Sequence, residues 1–245
     1  MLPKNPSLFA FDKDGTIIDV HHYWVSMTKL RVKLLKNYHH NLSSDVERDL
    51  LTGLGVNLKK NQIFSDGPTG VKPRTFNQSI AENILRAHGI SKNFMVEDAF
   101  SEADEISRLK IKSFVKPIPG ALELINIVHS MNINIAVISN DIHSRVQLAM
   151  ESLNIIDKIS LIVGGDEVKN VKPSSDMLIK AMKYFKCNSL DVVNIGDHPN
   201  DMRMGLNANV SCNIGVLTGL NAKKEFQPFN CQLVNSLFEV KMKYT

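Results

Sequence analysis

From residue 117 onward one pattern repeats: a short apolar run stops abruptly at small or polar residues and gives way to a stretch with helical spacing. The run at 133–138 stops at Ser139-Asn140-Asp141 and leads to a helical stretch over 144–153. The run at 161–163 stops at Gly164-Gly165, after which a lysine-rich loop leads to a helix over 174–185. The run at 192–195 stops at Gly196-Asp197, and a last one at 211–216 ends in Leu217-Thr218-Gly219. Strands that alternate with helices are joined by right-handed crossovers, so this pattern predicts βαβ units around a parallel sheet, with 8–11 as its first strand. Between Thr16 and Lys116 the strand-like runs largely vanish. Amphipathic helices take over at 23–38, 45–51, 77–88 and 97–111, around a Gly-, Asn- and Lys-rich segment at 53–73 that reads mostly as loop. "KPIPG", with Pro117 and Pro119, punctuates the return to the sheet. The predicted organisation is an α/β core of residues 1–16 and 117–245, split by a helical domain at 17–116.

In an open parallel sheet, ligands bind in the crevice beyond the carboxyl ends of the strands. The chain's chemically able residues fall at those ends: Asp12 and Asp14 after the first strand, Ser139 and Asn140 after another, Lys172 in the following loop, and Asp197 and Asp201 after "VVNIG". If Asp12 and Asp14 remain extended, a period of two turns their side chains to one side. Gly15 then permits a turn that an L-residue resists. An ordinary acidic turn is the alternative, since Asp-Gly is common in turns. In "NIGDHPNDM" the two acids are four apart across a loop containing Pro199 and can face one ion, and hard oxygen ligands with room for water suit magnesium. Asp201 could equally cap a helix starting near Met202.

Charge connects these groups. Two carboxylates about 4 Å apart repel by roughly 4 kcal/mol at an effective dielectric of 20. A cluster of four acids therefore requires cations: a divalent ion supplies two charges and Lys172, fixed against Pro173, a third, with Lys169 its nearest rival.

Composition removes several function classes. At 245 residues, 43% hydrophobic, the chain can bury a substantial core. Its net charge of +4 is mild and its basic residues are scattered, which argues against nucleic acid as the partner. Cys187, Cys212 and Cys231 are too dispersed for a zinc or redox motif and read as reduced, structural thiols. The start "MLPKNPSLFA" lacks the basic stretch and apolar core of a secretory leader, and no apolar run approaches the roughly 20 residues of a membrane helix. A cytoplasmic protein with no membrane partner is expected; oligomeric state is not legible.

The strings "DKDGT", "VISN", "VKP" and "GDHPND", in that order on those loops, resemble the four motifs of the haloacid dehalogenase superfamily. The helical insertion between the first two is similar to the cap of the phosphoglycolate phosphatase-like branch, and "IGVLTGL" followed by "QLVNSLFEV" resembles that branch's ending. The resemblance implies a Rossmann-like core with an α-helical cap. It makes Asp12 the nucleophile that forms an aspartyl-phosphate and Asp14 the general acid and then base. Magnesium would sit on the Asp12 carboxylate, the Asp14 main-chain carbonyl and Asp197, with Asp201 in support. Ser139 and Asn140, together with Gly15 and Thr16, would bind phosphate, and Lys172 would offset charge on it and on Asp12. A dehalogenase needs neither a protonated leaving group nor a metal, so two extra acids favour phosphoryl chemistry. The expected activity is hydrolysis of a small phosphorylated metabolite of the phosphoglycolate or sugar phosphate type. A phosphomutase of the beta-phosphoglucomutase type begins with the same phosphoenzyme and is the alternative, and a catalytically silent binding protein is the third reading. Substrate choice is expected from the cap, with His21, His22 and Trp24 in "HHYW" and Arg74 as candidate contacts.

Overall fold

The computed structural model describes residues 3, 5–39, 42–90 and 94–241. The chain forms two compact units, Met1–Asp19 with Val115–Thr245, and Val20–Phe114.

In chain order, β1 (Leu8–Phe11) is followed by the insertion: α1 (Val20–Tyr38), α2 (Ser44–Gly53), β2 (Val56–Asn57), β3 (Gln62–Ile63), α3 (Arg74–Ala87), α4 (Phe94–Leu109) and α5 (Ile111–Phe114). The chain then runs through α6 (Ala121–Ser130), β4 (Asn134–Ile138), α7 (His143–Ser152), β5 (Leu161–Val163), α8 (Asp176–Phe185), β6 (Val192–Gly196), α9 (Pro199–Asn207), β7 (Cys212–Val216), β8 (Gln232–Val234) and α10 (Leu237–Lys241).

Among the described residues the main sheet has six strands in the order β5-β4-β1-β6-β7-β8, every neighbouring pair parallel. β1 lies inside the sheet, Phe9 in register with Ile135 on one side and Val193 on the other. Its sequence, LFAF, is apolar throughout because both faces are covered, as in parallel sheets generally. Leu8 and Ala10 pack with Ala136 and Ile138 of β4, Met177, Leu178 and Ala181 of α8 and Met204 of α9. Period two sends Phe9 and Phe11 to the opposite face, where their rings stack at 6.0 Å. The strand order reverses around β1: the chain crosses to β4 and β5 on one side, then returns to β6 on the other, which places a crevice at the carboxyl end of β1.

The insertion is helical, as the periodicity predicts. Met27, Val32 and Leu35 of α1, Leu50 of α2, Ala81 and Leu85 of α3, and Ala99 and Phe100 of α4 share one core, while Lys29, Lys33 and Lys36 stay on the exposed face of α1. Two features depart from the sequence reading. The segment 53–73 contains an antiparallel ribbon, β2 with β3, too short for any period to announce. The chain also adds α6, β8 and α10 to the α/β unit. No helix among the described residues is long and apolar enough to cross a membrane.

Candidate active site

The strand β1 ends at Phe11, and the backbone of Asp12 still donates to the Ile195 carbonyl of β6 at 2.8 Å, which fixes that residue at the sheet edge. Extended structure stops there. Ile17 and Ile18 donate back to the Lys13 carbonyl and Gly15 donates to the Ile18 carbonyl, so residues 12–18 form a tight turn rather than continuing the strand. Gly15 sits at φ +80°, and a Cβ there would fall on the Asp197 carboxylate. Gly219, beyond β7, is in the same position toward Asp197. Two residues without side chains thus leave room for that buried carboxylate, while the Thr16 hydroxyl approaches its Oδ1 at 3.4 Å.

Oxygens of Asp12, Asp197 and Asp201 all lie within 4.8 Å of one another. Lys172, itself buried, places its ammonium 2.5 Å from Asp12 Oδ1 and 2.7 Å from Asp201 Oδ1. Burial pushes the Asp12 carboxyl up to about 7; Lys172 works against that shift, and the Asp201 and Asp14 charges reinforce it. Asp197 is likewise raised, by burial first and then by Asp12 and Asp201. Burial disfavours the Lys172 charge, but Asp12 and Asp201 outweigh it and hold the ammonium above its ordinary value. Three acids against one ammonium leave a deficit of positive charge. The donors are hard oxygens clustered within reach of one ion, and they fit a small divalent cation such as magnesium.

Of the expected residues, Asp12, Asp197, Asp201 and Lys172 meet in one cluster. Asp201 is both a cluster member and a helix cap: its Oδ2 accepts the His198 backbone N–H at 3.0 Å, and α9 begins at Pro199, three residues before the expected start, because proline at the first helical position is preorganised. Ser139 is buried, with its hydroxyl accepting the Asp141 N–H at 3.2 Å. Asn140 accepts the Lys172 backbone N–H at 3.1 Å, which ties the loop after β4 to the lysine loop. The Asp14 carboxylate does not join the acidic triad but meets Lys13, 3.0 Å away. In the helical unit, His21 accepts the Ile63 N–H through Nδ1, His22 Nε2 lies 3.3 Å from the Ser113 carbonyl, and Trp24 stacks edge-on with Tyr23. Arg74 reaches Glu97, Ser101 and Asp104.

Sequence reasoning missed Lys13, Asp141, Thr218 and Gly219. Thr218 donates to the Gly15 carbonyl at 2.6 Å and so braces the turn from the far side of β7. The stop of the β7 run at Leu217-Thr218-Gly219 was the available signal, since the stops after β1, β4 and β6 carry the other candidate residues.

An open parallel sheet whose switch-point crevice holds clustered carboxylates and a buried lysine defines a doubly wound α/β protein with a polar site at the carboxyl ends of its strands. The family model described as haloacid dehalogenase-like hydrolase matches residues 9–214, and the chain belongs to that family. It is 25% identical over 116 residues to a pyrophosphatase, PpaX, of Halalkalibacterium halodurans, covering 46% of this chain and 54% of that one. It is 21% identical over 208 residues to a phosphoglycolate phosphatase of Pseudomonas fluorescens, covering 84% and 68%. The match to PpaX thus spans about half the length of that relative. Among solved structures, a Thermotoga maritima protein provisionally named a beta-phosphoglucomutase superposes with a TM-score of 0.71 at 18% identity, over 96% of this chain and 99% of the other. At that identity the likeness is one of fold.

Proposed function

We propose that this chain is a magnesium-dependent phosphatase that hydrolyses a small phosphorylated metabolite, in the cytoplasm, through an aspartyl-phosphate on Asp12. The observation that carries the reading is the clustered acidic triad with one buried ammonium between Asp12 and Asp201, a charge pattern that gives a fold little by itself and suits a bound cation and a phosphoryl group. When bound, the metal would neutralise charge that builds on the transferring phosphoryl oxygens. It would be held by Asp12, the Asp14 main-chain carbonyl and Asp197, with Asp201 in support.

The chain's own residues supply the rest. A carboxylate oxygen of Asp12 forms a bond to phosphorus as the bond to the leaving oxygen breaks, and Asp14 gives that oxygen a proton. Asp14 then takes a proton from water, whose oxygen attacks the same phosphorus and releases Asp12 and inorganic phosphate. Ser139, Asn140 and the turn at Gly15 and Thr16 orient the phosphoryl group, and Lys172 holds Asp12 in place and offsets its charge. Most of the rate would come from positioning and electrostatics. Phosphoglycolate and sugar phosphates head the candidate substrates, and the pyrophosphatase relative adds pyrophosphate to them.

The test is phosphate release from a panel of phosphoglycolate, sugar phosphates, nucleotides and pyrophosphate, with and without magnesium. Turnover that needs magnesium and is lost in Asp12→Asn supports the reading. Substantial magnesium-dependent turnover in Asp12→Asn contradicts the nucleophile, and an isomer formed with little free phosphate points to a mutase.

A further inference from the structure

We propose that Lys13 is a positioning residue for Asp14, and that Asp141 is the anchor through which it acts; the inference rests on the acid and base role proposed for Asp14. Lys13 lies between the two acids of the first loop and is only 5% exposed. Its ammonium is 3.0 Å from Asp14 Oδ2 and 3.0 Å from Asp141 Oδ2, across 128 residues of sequence. Burial disfavours its charge, but the Asp14 and Asp141 carboxylates outweigh that cost and keep it protonated.

The two ends of this strap differ. Asp141 is fixed from several directions: its Oδ1 accepts the Ile142 N–H at 2.9 Å, its own N–H donates to Ser139, and its carbonyl accepts the Gly165 N–H at 2.8 Å. The Asp14 side chain is 36% exposed and stands on the turn that precedes Gly15. A carboxylate so placed samples several rotamers unless something holds it. Lys13 holds one oxygen and leaves the other for a leaving group or water.

The arrangement repeats a plan already seen. Lys172 links Asp12 to Asp201, and Lys13 links Asp14 to Asp141, so each acid of the first loop is tied by an ammonium to an acid of a distant loop. The first strap holds the attacking group. The second holds the group that moves protons.

A merely structural lysine and a positioning lysine are separated by the leaving group. Alkyl alcohols need a proton as they depart, whereas p-nitrophenolate departs without one, and kcat/KM reports the first transfer to Asp12. For Lys13→Met we expect kcat/KM to fall about 100-fold on an alkyl phosphate and less than about fivefold on p-nitrophenyl phosphate. Lys13→Arg, which can span the same two carboxylates, recovers most of the alkyl activity. Should Lys13→Met fold poorly, Lys13→Met/Asp141→Asn removes the ammonium with its anchor, and the same ratio is read there. Equal losses on both esters, or wild-type rates in Lys13→Met, overturn the proposal while leaving the phosphatase reading intact. A wild-type protein that turns over neither ester faster than Asp12→Asn overturns both.

Discussion

In the helical unit, Arg31 and Arg74 face Asp104 and Glu97. The Arg31 guanidinium lies 3.2 Å from Asp104 and 4.4 Å over the Phe100 ring, and Arg74 reaches both acids. In the α/β unit, Lys172 faces three clustered carboxylates, and Asp12 and Asp197 are pushed up by burial first and then by the neighbouring carboxylates, more than Lys172 offsets. The first network matches two cations with two anions and sets both cations over the Phe100 ring. The second is short of positive charge. Charge that is matched and partly exposed, as Glu97 and Asp104 are, keeps much of its hydration and sits with opposite charge beside it. Buried charge left unmatched on a sheet edge is retained at a cost to stability and reads as a site. The comparison therefore separates structural from functional charge within one chain.

The largest break in that comparison is Asp12→Asn. Phosphate release should fall by at least about 10⁴-fold, as for other lost nucleophiles, while the melting temperature of the metal-free protein stays the same or rises because one mutually repelled carboxylate is gone. Arg31→Met should do the opposite: kcat is retained, and denaturant unfolding shows a loss of about 1 kcal/mol, because partly exposed Asp104 loses one partner and keeps Arg74. A melting temperature unchanged by Arg31→Met would show that the arginine network contributes nothing to packing.

Magnesium sharpens the contrast. The Asp12 carboxyl is raised to about 7 in the fold against 3.8 in the unfolded chain, so its contribution to stability is present below about pH 3.8 and is lost as pH rises through about 7. A cation binds best once that proton has left. Magnesium at ten times its Kd should stabilise by about 1.4 kcal/mol near pH 8 and by little at pH 5, and Asp104→Asn should leave this increment unchanged. An equal increment at both pH values would place the ion elsewhere.

The smallest effect belongs to Glu167. Its burial opposes ionisation, but the Gly164 N–H, His143 and Lys180 outweigh it and lower the carboxyl to about 2. A depressed carboxyl contributes above the unfolded value of 4.5 and loses that contribution as pH falls toward 2. With the side chain 27% exposed, Glu167→Gln should cost about 0.5 kcal/mol at pH 7 and nothing at pH 2, with activity unaffected.

Much of this was legible beforehand for one reason. Each apolar run that ends in polar residues marks the carboxyl end of a buried parallel strand, so Asp12, Ser139, Asn140, Lys172, Asp197 and Asp201 could be assigned to one edge without knowing their partners. Partners were not legible. Lys13 finds Asp141 and Thr218 finds Gly15 only after strands far apart in sequence become neighbours, and nothing local in "DKDGT" says which way the lysine turns. The ribbon of β2 and β3 pairs two residues with two, too few to show a period. His21, His22 and Arg74 looked available in the sequence because a polar side chain on a helix declares its chemistry and not its neighbours. Each is met inside its own unit by a backbone group or an acid.

The place of β1 inside the sheet has a consequence for how the molecule is made. Leu8–Phe11 leaves the ribosome before any other strand of the sheet, yet one of its flanks waits for residues 134–138 and the other for 192–196. Until then four consecutive apolar residues have neither edge satisfied, which is the condition under which strands pair with the wrong chain. Formation of the sheet is therefore slow by topology, and a polypeptide cut short between residues 138 and 192 keeps one flank of that strand unpaired.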